Sequence, residues 1–262
     1  MSEGKTHRRQ ILALGGLIAL GLAAPGLFGL VRGFLPVDLD LEPLAEPAGF
    51  RILGGGASSS SGFDPLFGLQ SDRPRAAANL ETDLCTALFG PEPAPAGVVP
   101  IAAFSDYLCP YCKLLTQRLA ALQAASPGEV RIAWHEWPIL GPTSIGAARA
   151  ALAAKRQGAY VAFQAELMRA GFVPTESLFE DLALRLGLDP GRFAADRRSA
   201  EVEQEIATTR ALADRFGFPG TPALVVGRTV VTGSIDDATL RALIARERAD
   251  GPLDVCAGAR PA

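Results

Sequence analysis

The stretch "FSDYLCPYCK", residues 104–113, decides how this sequence is interpreted. Cys109 and Cys112 are separated by Pro110 and Tyr111, an apolar run precedes the pair, and an amphipathic run follows it. This spacing is compatible with a redox pair, with half of a metal site or with a structural disulfide. The surrounding sequence must therefore distinguish the three.

The segments on either side of the pair predict a strand and a helix. "VVPIAAF", which ends at Phe104, is a short apolar run typical of a buried strand. From Pro110 to Ala125 apolar residues recur at helical spacing. Proline suits the first helical position, because an N–H at that position would have no hydrogen-bond partner within the helix. We therefore expect Cys109 to lie between the end of a strand and the N-terminus of a helix.

The rest of the chain extends this pattern. "EVRIAWHEW", 129–137, alternates apolar and polar residues and predicts a second strand. A helical block at about 142–216 follows, with glycines and prolines that divide it into three to five helices. "ALVVG" and "TVVTG" then predict a hairpin, and "SIDDATLRALIARER" predicts a closing helix with Ser234 as its N-cap. This order predicts an α/β, thioredoxin-like fold with a helical insertion.

The composition bounds the function. The net charge of −3 over 262 residues offers no electrostatic basis for nucleic-acid binding. Of the two histidines, only His135 lies in the predicted domain, and a histidine at a strand end without a partner is expected to be structural. The four cysteines are too few for a disulfide-scaffolded protein, but they are an even number that can pair fully.

The N-terminus predicts export. Basic residues precede an apolar run from Ile11 to Val31, which is either a signal peptide or a membrane anchor, and in either case this segment contacts the membrane. "RRQIL" partly resembles the twin-arginine export pattern, and ordinary secretion is the alternative. Both place the domain in a periplasmic or other extracytoplasmic, oxidising compartment, where disulfides persist.

The composition also predicts the domain organisation. The acidic, proline-rich tract and the "GGGASSSSG" run that follows it predict a flexible linker, and "NLETDLCTALF" predicts one helix. The predicted segments are a signal or anchor (1–35), a linker (36–62), an N-terminal extension (63–96), the thioredoxin-like domain (97–250) and a C-terminal tail (251–262).

Redox chemistry suits the cysteine pair best. A zinc site needs about four ligands, and Cys85, Cys256 and His135 include no second close-spaced pair. A structural disulfide across two residues would constrain the unfolded chain little. A helix N-terminus, in contrast, favours a thiolate, so Cys109 is the expected nucleophile and Cys112 the resolving thiol. The expected redox group is this disulfide alone, without cofactor or metal.

"FGFPGTPALVV" supplies a second feature, because Thr221 and Pro222 come directly before a strand. In a thioredoxin-like fold this loop faces the CxxC turn, and we expect Pro222 in the cis form. Proline lacks an N–H, so the neighbouring backbone is expected to be free to pair with an extended substrate peptide. An ordinary proline at a strand start is the alternative.

The stretches "FSDYLCPYC", "WHEWPILGPTSIGAARAALAA" and "FGFPGTPALVVG" together resemble the DsbA-like thiol–disulfide oxidoreductases of the thioredoxin superfamily. The resemblance implies that Cys109 attacks, that Cys112 resolves, and that Thr221–Pro222 forms the cis-proline loop. Ala103 stands where thioredoxin and DsbA carry a buried acid. The residues considered for tuning the pair are Asp106, Glu136, Pro110 and Tyr111, although surface positions are expected for both carboxylates.

Cys85 and Cys256 remain, and in an oxidising compartment they are expected to pair and so link the N-terminal extension to the C-terminal tail. Two separate reactive thiols are the alternative.

The predicted function is oxidative disulfide exchange with exported cysteine-containing proteins, with reoxidation by a membrane or periplasmic redox partner. Isomerase or reductase activity uses the same atoms in the reduced state and is the first alternative. A peptide-binding chaperone module is the second.

Overall fold

The computed structural model describes residues 37–54, 56–60, 83–171 and 173–257. The chain divides into two units, Met1–Asp38 and Leu39–Ala262, and the description below concerns the second. The predicted signal or anchor at 1–35 lies outside the described residues, as do residues 63–82 of the extension and 258–262 of the tail. Within the described ranges, no helix combines the length and apolarity needed to cross a membrane.

A mixed sheet of six strands forms the centre of this unit. Its order is β1-β2-β6-β5-β3-β4. The pairs β2–β6 and β3–β4 are parallel, whereas β1–β2, β5–β6 and β3–β5 are antiparallel. The strands are β1 (Leu41–Pro43), β2 (Arg51–Leu53), β3 (Val99–Ser105), β4 (Val130–Glu136), β5 (Ala223–Val226) and β6 (Thr229–Thr232).

Helices cover both faces of the sheet. They are α1 (Leu84–Phe89), α2 (Pro110–Ala125), α3 (Pro142–Lys155), α4 (Tyr160–Arg169), α5 (Glu176–Arg185), α6 (Pro190–Asp196), α7 (Ala200–Phe216), α8 (Asp237–Ala249) and α9 (Asp254–Ala257). In its described residues, the insertion between β4 and β5 therefore contains five helices, α3–α7, within the predicted three to five.

Strand β3 is buried along its whole length, and its side chains pack into two hydrophobic clusters. Ile101 and Ala103 point toward a cluster that includes the leucines of α2 and α8, whereas Ala102 and Phe104 point toward α1 and α7. This alternation follows from the two-residue period of a strand. Burial on both faces explains why the sequence here is continuously apolar. Because the cysteine turn follows β3 directly, the packing of β3 also sets the position of that turn.

The N-terminal tract differs from the predicted flexible linker. Residues 41–43 and 51–53 form strands β1 and β2, and β2 extends the sheet by parallel pairing with β6. Phe50 and Leu53 are buried, so this acidic, proline-rich tract contains enough apolar surface to dock on the sheet edge. The composition suggested a tail because its apolar residues are spaced between prolines and acids.

The start of α8 also differs from the prediction. Asp236, rather than Ser234, is the N-cap, and its carboxylate accepts a hydrogen bond from the Thr239 N–H at 2.7 Å. The backbone N–H of Ser234 donates instead to the Ala57 carbonyl oxygen at 3.0 Å. Ser234 therefore belongs to a contact with the N-terminal tract.

Candidate active site

Cys109 is the N-cap of α2. Strand β3 ends at Ser105, a turn follows, and Cys109 adopts an extended conformation (φ −79°, ψ 117°). Its Sγ accepts a hydrogen bond from the Cys112 N–H at 3.2 Å, so the sulfur replaces the oxygen of an ordinary capping side chain. Pro110 occupies the first turn, and both Pro110 and Tyr111 are exposed to solvent beside the pair.

The two thiols differ in acidity, and both are reduced in this structure. A hydrogen bond from the Cys112 thiol is the main reason that the pKa of Cys109 is lowered to about 6, and the Ser59 side chain and the Cys112 N–H lower it further, against the opposing effect of burial. Burial raises the pKa of Cys112 well above its ordinary value. Near neutral pH, Cys109 is therefore mostly a thiolate, the form that can act as a nucleophile, and Cys112 is a protonated donor.

The Thr221–Pro222 loop lies against Cys109. The peptide bond between Thr221 and Pro222 is cis, and the Cys109 thiol lies 3.4 Å from the Thr221 carbonyl oxygen. Thr221 is fully buried, and its hydroxyl has no hydrogen-bond partner among the described residues. The loop predicted from "FGFPGTPALVV" thus meets the CxxC turn directly.

The backbone of Thr221 is not free, in contrast to the expectation from the sequence. Its N–H donates to the Ser59 carbonyl oxygen at 2.7 Å, and its carbonyl accepts from the Ser59 N–H at 2.6 Å. Ser59 is a site residue that lies in the predicted flexible linker. The available signal was the run of glycines and serines itself, because such small residues allow close backbone approach.

Asp106 is buried, although a surface position was expected for it. Its carboxylate accepts four hydrogen bonds at 2.7–3.0 Å, from the N–H groups of Leu108, Ile139 and Leu140 and from the Ser144 hydroxyl. The Asp106 N–H lies 3.5 Å from Cys112 Sγ. Asp106 therefore ties the cysteine turn to the loop after β4 and to α3, since burying a carboxylate requires such partners.

Glu136 is buried as well, so the surface expectation is wrong for both carboxylates. Its Oε1 accepts hydrogen bonds from the Tyr107 hydroxyl at 2.7 Å and the Tyr160 hydroxyl at 2.6 Å. Burial raises the pKa of Glu136 to about 8. The carboxyl group is consequently protonated in most molecules at neutral pH.

His135 and Ala103 make contacts typical of residues that stabilise the core. His135 Nε2 lies 2.8 Å from the Leu88 carbonyl oxygen, and its ring stacks on Phe104 with centroids 4.6 Å apart. Burial lowers the pKa of His135 to about 4, so it is neutral. Ala103 is packed in the core between the sheet and α2.

Cys85 and Cys256 form a disulfide, with an S–S distance of 1.94 Å and a Cα–Cα distance of 5.6 Å. The bond joins α1 to α9 across 171 residues of sequence and so links the N-terminal extension to the C-terminal tail.

Across the described ranges, no three His, Cys, Asp or Glu side chains are grouped so that they could hold a metal ion.

Comparison with known proteins identifies similar domains. The family described as DSBA-like thioredoxin domain matches residues 100–245. A thioredoxin-like oxidoreductase from Silicibacter pomeroyi is 38% identical with a TM-score of 0.58, and the match covers 63% of this chain and 97% of that chain. No curated protein sequence gives a significant match.

Two further solved structures resemble this chain. A periplasmic thioredoxin-like protein from Salmonella enterica serovar Typhimurium is 27% identical with a TM-score of 0.54, covering 63% of this chain and 96% of that one. Oxidoreductase DsbA from Xylella fastidiosa is 29% identical with a TM-score of 0.50, covering 60% of this chain and 90% of that one. The similarity therefore spans nearly the whole of each of these proteins.

Proposed function

Because this chain belongs to the DSBA-like thioredoxin domain family of thiol–disulfide oxidoreductases, we propose that Cys109 and Cys112 oxidise the cysteines of exported proteins outside the cytoplasm. One observation carries the proposal: Cys109 caps α2 with a pKa lowered to about 6 and lies 3.4 Å from the cis-proline loop. Such a thiolate is both a ready nucleophile and a good leaving group.

The oxidised enzyme begins the cycle with a Cys109–Cys112 bond. A client thiolate attacks Cys109 Sγ, the Cys109–Cys112 bond breaks, and Cys112 leaves with the electron pair. Cys112 then takes up a proton, because burial raises its pKa. A second client thiolate attacks the client sulfur of the mixed disulfide, and Cys109 leaves as a thiolate. The client has lost two electrons, and the enzyme holds them as two reduced cysteines.

The acidity of Cys109 favours the oxidative direction. A stabilised thiolate stabilises the reduced enzyme, and a couple with a stable reduced form is the better oxidant. A second cycle then needs a two-electron acceptor, for which we propose a membrane or periplasmic redox partner. The pair itself is the redox group, with no cofactor.

Two observations support a location outside the cytoplasm. A disulfide that clips the ends of a domain persists in an oxidising compartment. One similar structure is that of a periplasmic protein. Export through the segment at 1–35, by secretion or by anchoring, fits both.

Isomerase or reductase activity is the alternative, because the acidity of Cys109 is only moderate. The pKa of about 6 for Cys109 lies closer to the value of about 7 in thioredoxin than to about 3.5 in DsbA. A less acidic nucleophile makes a weaker oxidant, and in its reduced state the same Cys109 attacks mispaired client disulfides.

The reduction potential of the pair, equilibrated with glutathione, tests the direction. A value near about −270 mV, the level of thioredoxin, would contradict the oxidase and favour the reductase. The Cys109→Ser variant should fail to oxidise a reduced model protein, whereas Cys85→Ser/Cys256→Ser should remain active. Full activity of the Cys109→Ser variant would refute the proposed chemistry.

A further inference from the structure

We propose that residues 56–60 occupy the peptide-binding position of this active site, and that a client cysteine takes the place of Ser59. The inference rests on the proposed function and adds to it a built-in occupant and a class of client. The clients are extended, unfolded peptides with a glycine three residues before their cysteine.

The first observation is the backbone pairing at the cis-proline loop. Ser59 and Thr221 form an antiparallel bridge in which each residue both donates and accepts, at 2.6 and 2.7 Å. An extended peptide that recognises an edge by such main-chain hydrogen bonds uses β-augmentation, a general mode of peptide binding. Here the added strand is a segment of the same chain.

A second contact holds the segment further upstream. The Ser234 N–H, just after β6, donates to the Ala57 carbonyl oxygen at 3.0 Å. The segment that follows β2 therefore crosses two loops in succession, the loop after β6 and the loop before β5. Both contacts use main-chain atoms, so they place little demand on sequence beyond size.

Size, however, is strictly limited along this path. A methyl group on Gly56 would lie 2.0 Å from the Ser234 carbonyl oxygen, and one on Gly233 would lie 2.1 Å from the Gly56 oxygen. A methyl group on Gly220 would lie 2.3 Å from the Ser59 oxygen. The approach at Gly56 excludes a Cβ on the occupant at that position, and Gly220 and Gly233 let the two loops come close to the occupant's backbone. The glycine- and serine-rich tract fits this requirement.

The Ser59 side chain faces the redox pair. Ser59 is half-buried, whereas Ser58 is exposed, as expected when successive side chains of an extended segment alternate. The Ser59 side chain helps to lower the pKa of Cys109, and Cys109 has 0% of its surface exposed with the segment in place. A serine hydroxyl has nearly the shape of a cysteine thiol, so Ser59 Oγ marks where a client sulfur would sit.

The occupant itself is chemically inert. Residues 56–60 contain no sulfur, so the segment covers Cys109 without forming a mixed disulfide. A client gains access only when the segment leaves, and its reaction rate is reduced by the fraction of molecules in which the site is covered. The segment therefore acts as a competing pseudosubstrate that weakly binding peptides displace poorly.

Alkylation of Cys109 in the reduced, full-length protein tests the cover. Gly56→Ala should expel the segment, whereas Gly54→Ala is the matched control because a methyl group there has no atom within 4 Å. Loss of two backbone hydrogen bonds should raise the iodoacetamide rate about tenfold in Gly56→Ala. Gly54→Ala should match the wild type. Equal rates in all three proteins would overturn the proposal.

A cross-link tests the position of Ser59 without weakening the contact. In a Cys112→Ala background, the Cys109 thiolate attacks glutathione disulfide and releases one glutathione thiolate. With Ser59→Cys, the introduced thiol then attacks Cys109 Sγ, releases the second glutathione and leaves an intramolecular disulfide. The matched Ser58→Cys variant should retain glutathione on Cys109. Retained glutathione in both variants, read by mass spectrometry, would overturn the proposal.

The two hypotheses fail differently. If Gly56→Ala alkylates faster and the cross-link forms, but no variant oxidises a reduced model protein, the proposed function is refuted and the client assignment with it. If the wild type oxidises the model protein while neither the alkylation nor the cross-link behaves as expected, only the occupant is refuted.

Discussion

The hydrogen bond from the Cys112 thiol to Cys109 makes the most direct prediction. It is the largest cause of the lowered pKa of Cys109, so Cys112→Ala should raise that pKa above about 6. A hydrogen bond to a charged group contributes about 1.5–3 kcal/mol, and one pKa unit corresponds to about 1.36 kcal/mol. The expected rise is therefore about one to two units. Cys112→Ser replaces the thiol donor with a hydroxyl, whose shorter C–O bond lengthens the contact, and should give an intermediate value.

The titration midpoint, rather than the rate at one pH, is the decisive quantity. At pH 7 a thiol of pKa about 6 is about 90% ionised, whereas a free cysteine of pKa about 8.5 is about 3% ionised. This advantage of about 30-fold is mostly offset, because a thiolate of lower pKa by about 2.5 units is about 10- to 18-fold less nucleophilic. Rates at neutral pH would therefore differ only about two- to threefold.

The assay is the ultraviolet absorbance of the thiolate in the reduced protein, recorded against pH. The wild type should show a midpoint near pH 6, Cys112→Ala one near pH 7–8, and Cys112→Ser one between the two. A wild-type midpoint near that of a free cysteine would refute the role of the helix-capping sulfur. An unchanged midpoint in Cys112→Ala would refute the role of the Cys112 thiol.

Three further predictions concern stability. Cys85→Ser/Cys256→Ser frees a loop of 171 residues, which the chain-entropy model equates with up to about 5 kcal/mol, and an unchanged urea midpoint would contradict the clip. Because burial raises the pKa of Glu136 to about 8, the wild-type free energy of unfolding should fall by up to about 1.4 kcal/mol per pH unit between about pH 4.5 and 8. Glu136→Gln should lose that slope, so parallel pH profiles would contradict the assignment. Asp236→Ala should lower the free energy of unfolding by about 1 kcal/mol and Ser234→Ala by much less, measured by thermal melts; the reverse order would restore Ser234 as the cap.

The cysteine turn shows how far sequence reasoning reaches. The strand at 98–104, the helix from Pro110 to Ala125 and the hairpin around Gly227 follow from periodicity and turn residues, and the structure has each of them. Cys109 at a helix N-terminus also follows, because the position depends on residues adjacent in sequence.

The carboxylates show where sequence reasoning fails. Asp106 and Glu136 have charged side chains, and an isolated charged residue is usually exposed. Their burial depends on Ser144, Tyr107 and Tyr160, and two of these partners lie in the helical insertion. The pattern of apolar and polar residues within one strand does not show which side chains from other elements will contact it.

The sequence by itself determined the local arrangement of the cysteine pair, because Cys109 at the helix N-terminus, Cys112 in the first turn and the strand before them form one continuous stretch. The tertiary structure alone decided which groups surround that chemistry. The Ser59–Thr221 bridge joins residues 162 positions apart, and its two hydrogen bonds exist only because β2 docks beside β6 and directs the tract toward the cis-proline loop. Contacts between distant residues are set by packing, and here the packing pairs the chain's own backbone with the cis-proline loop.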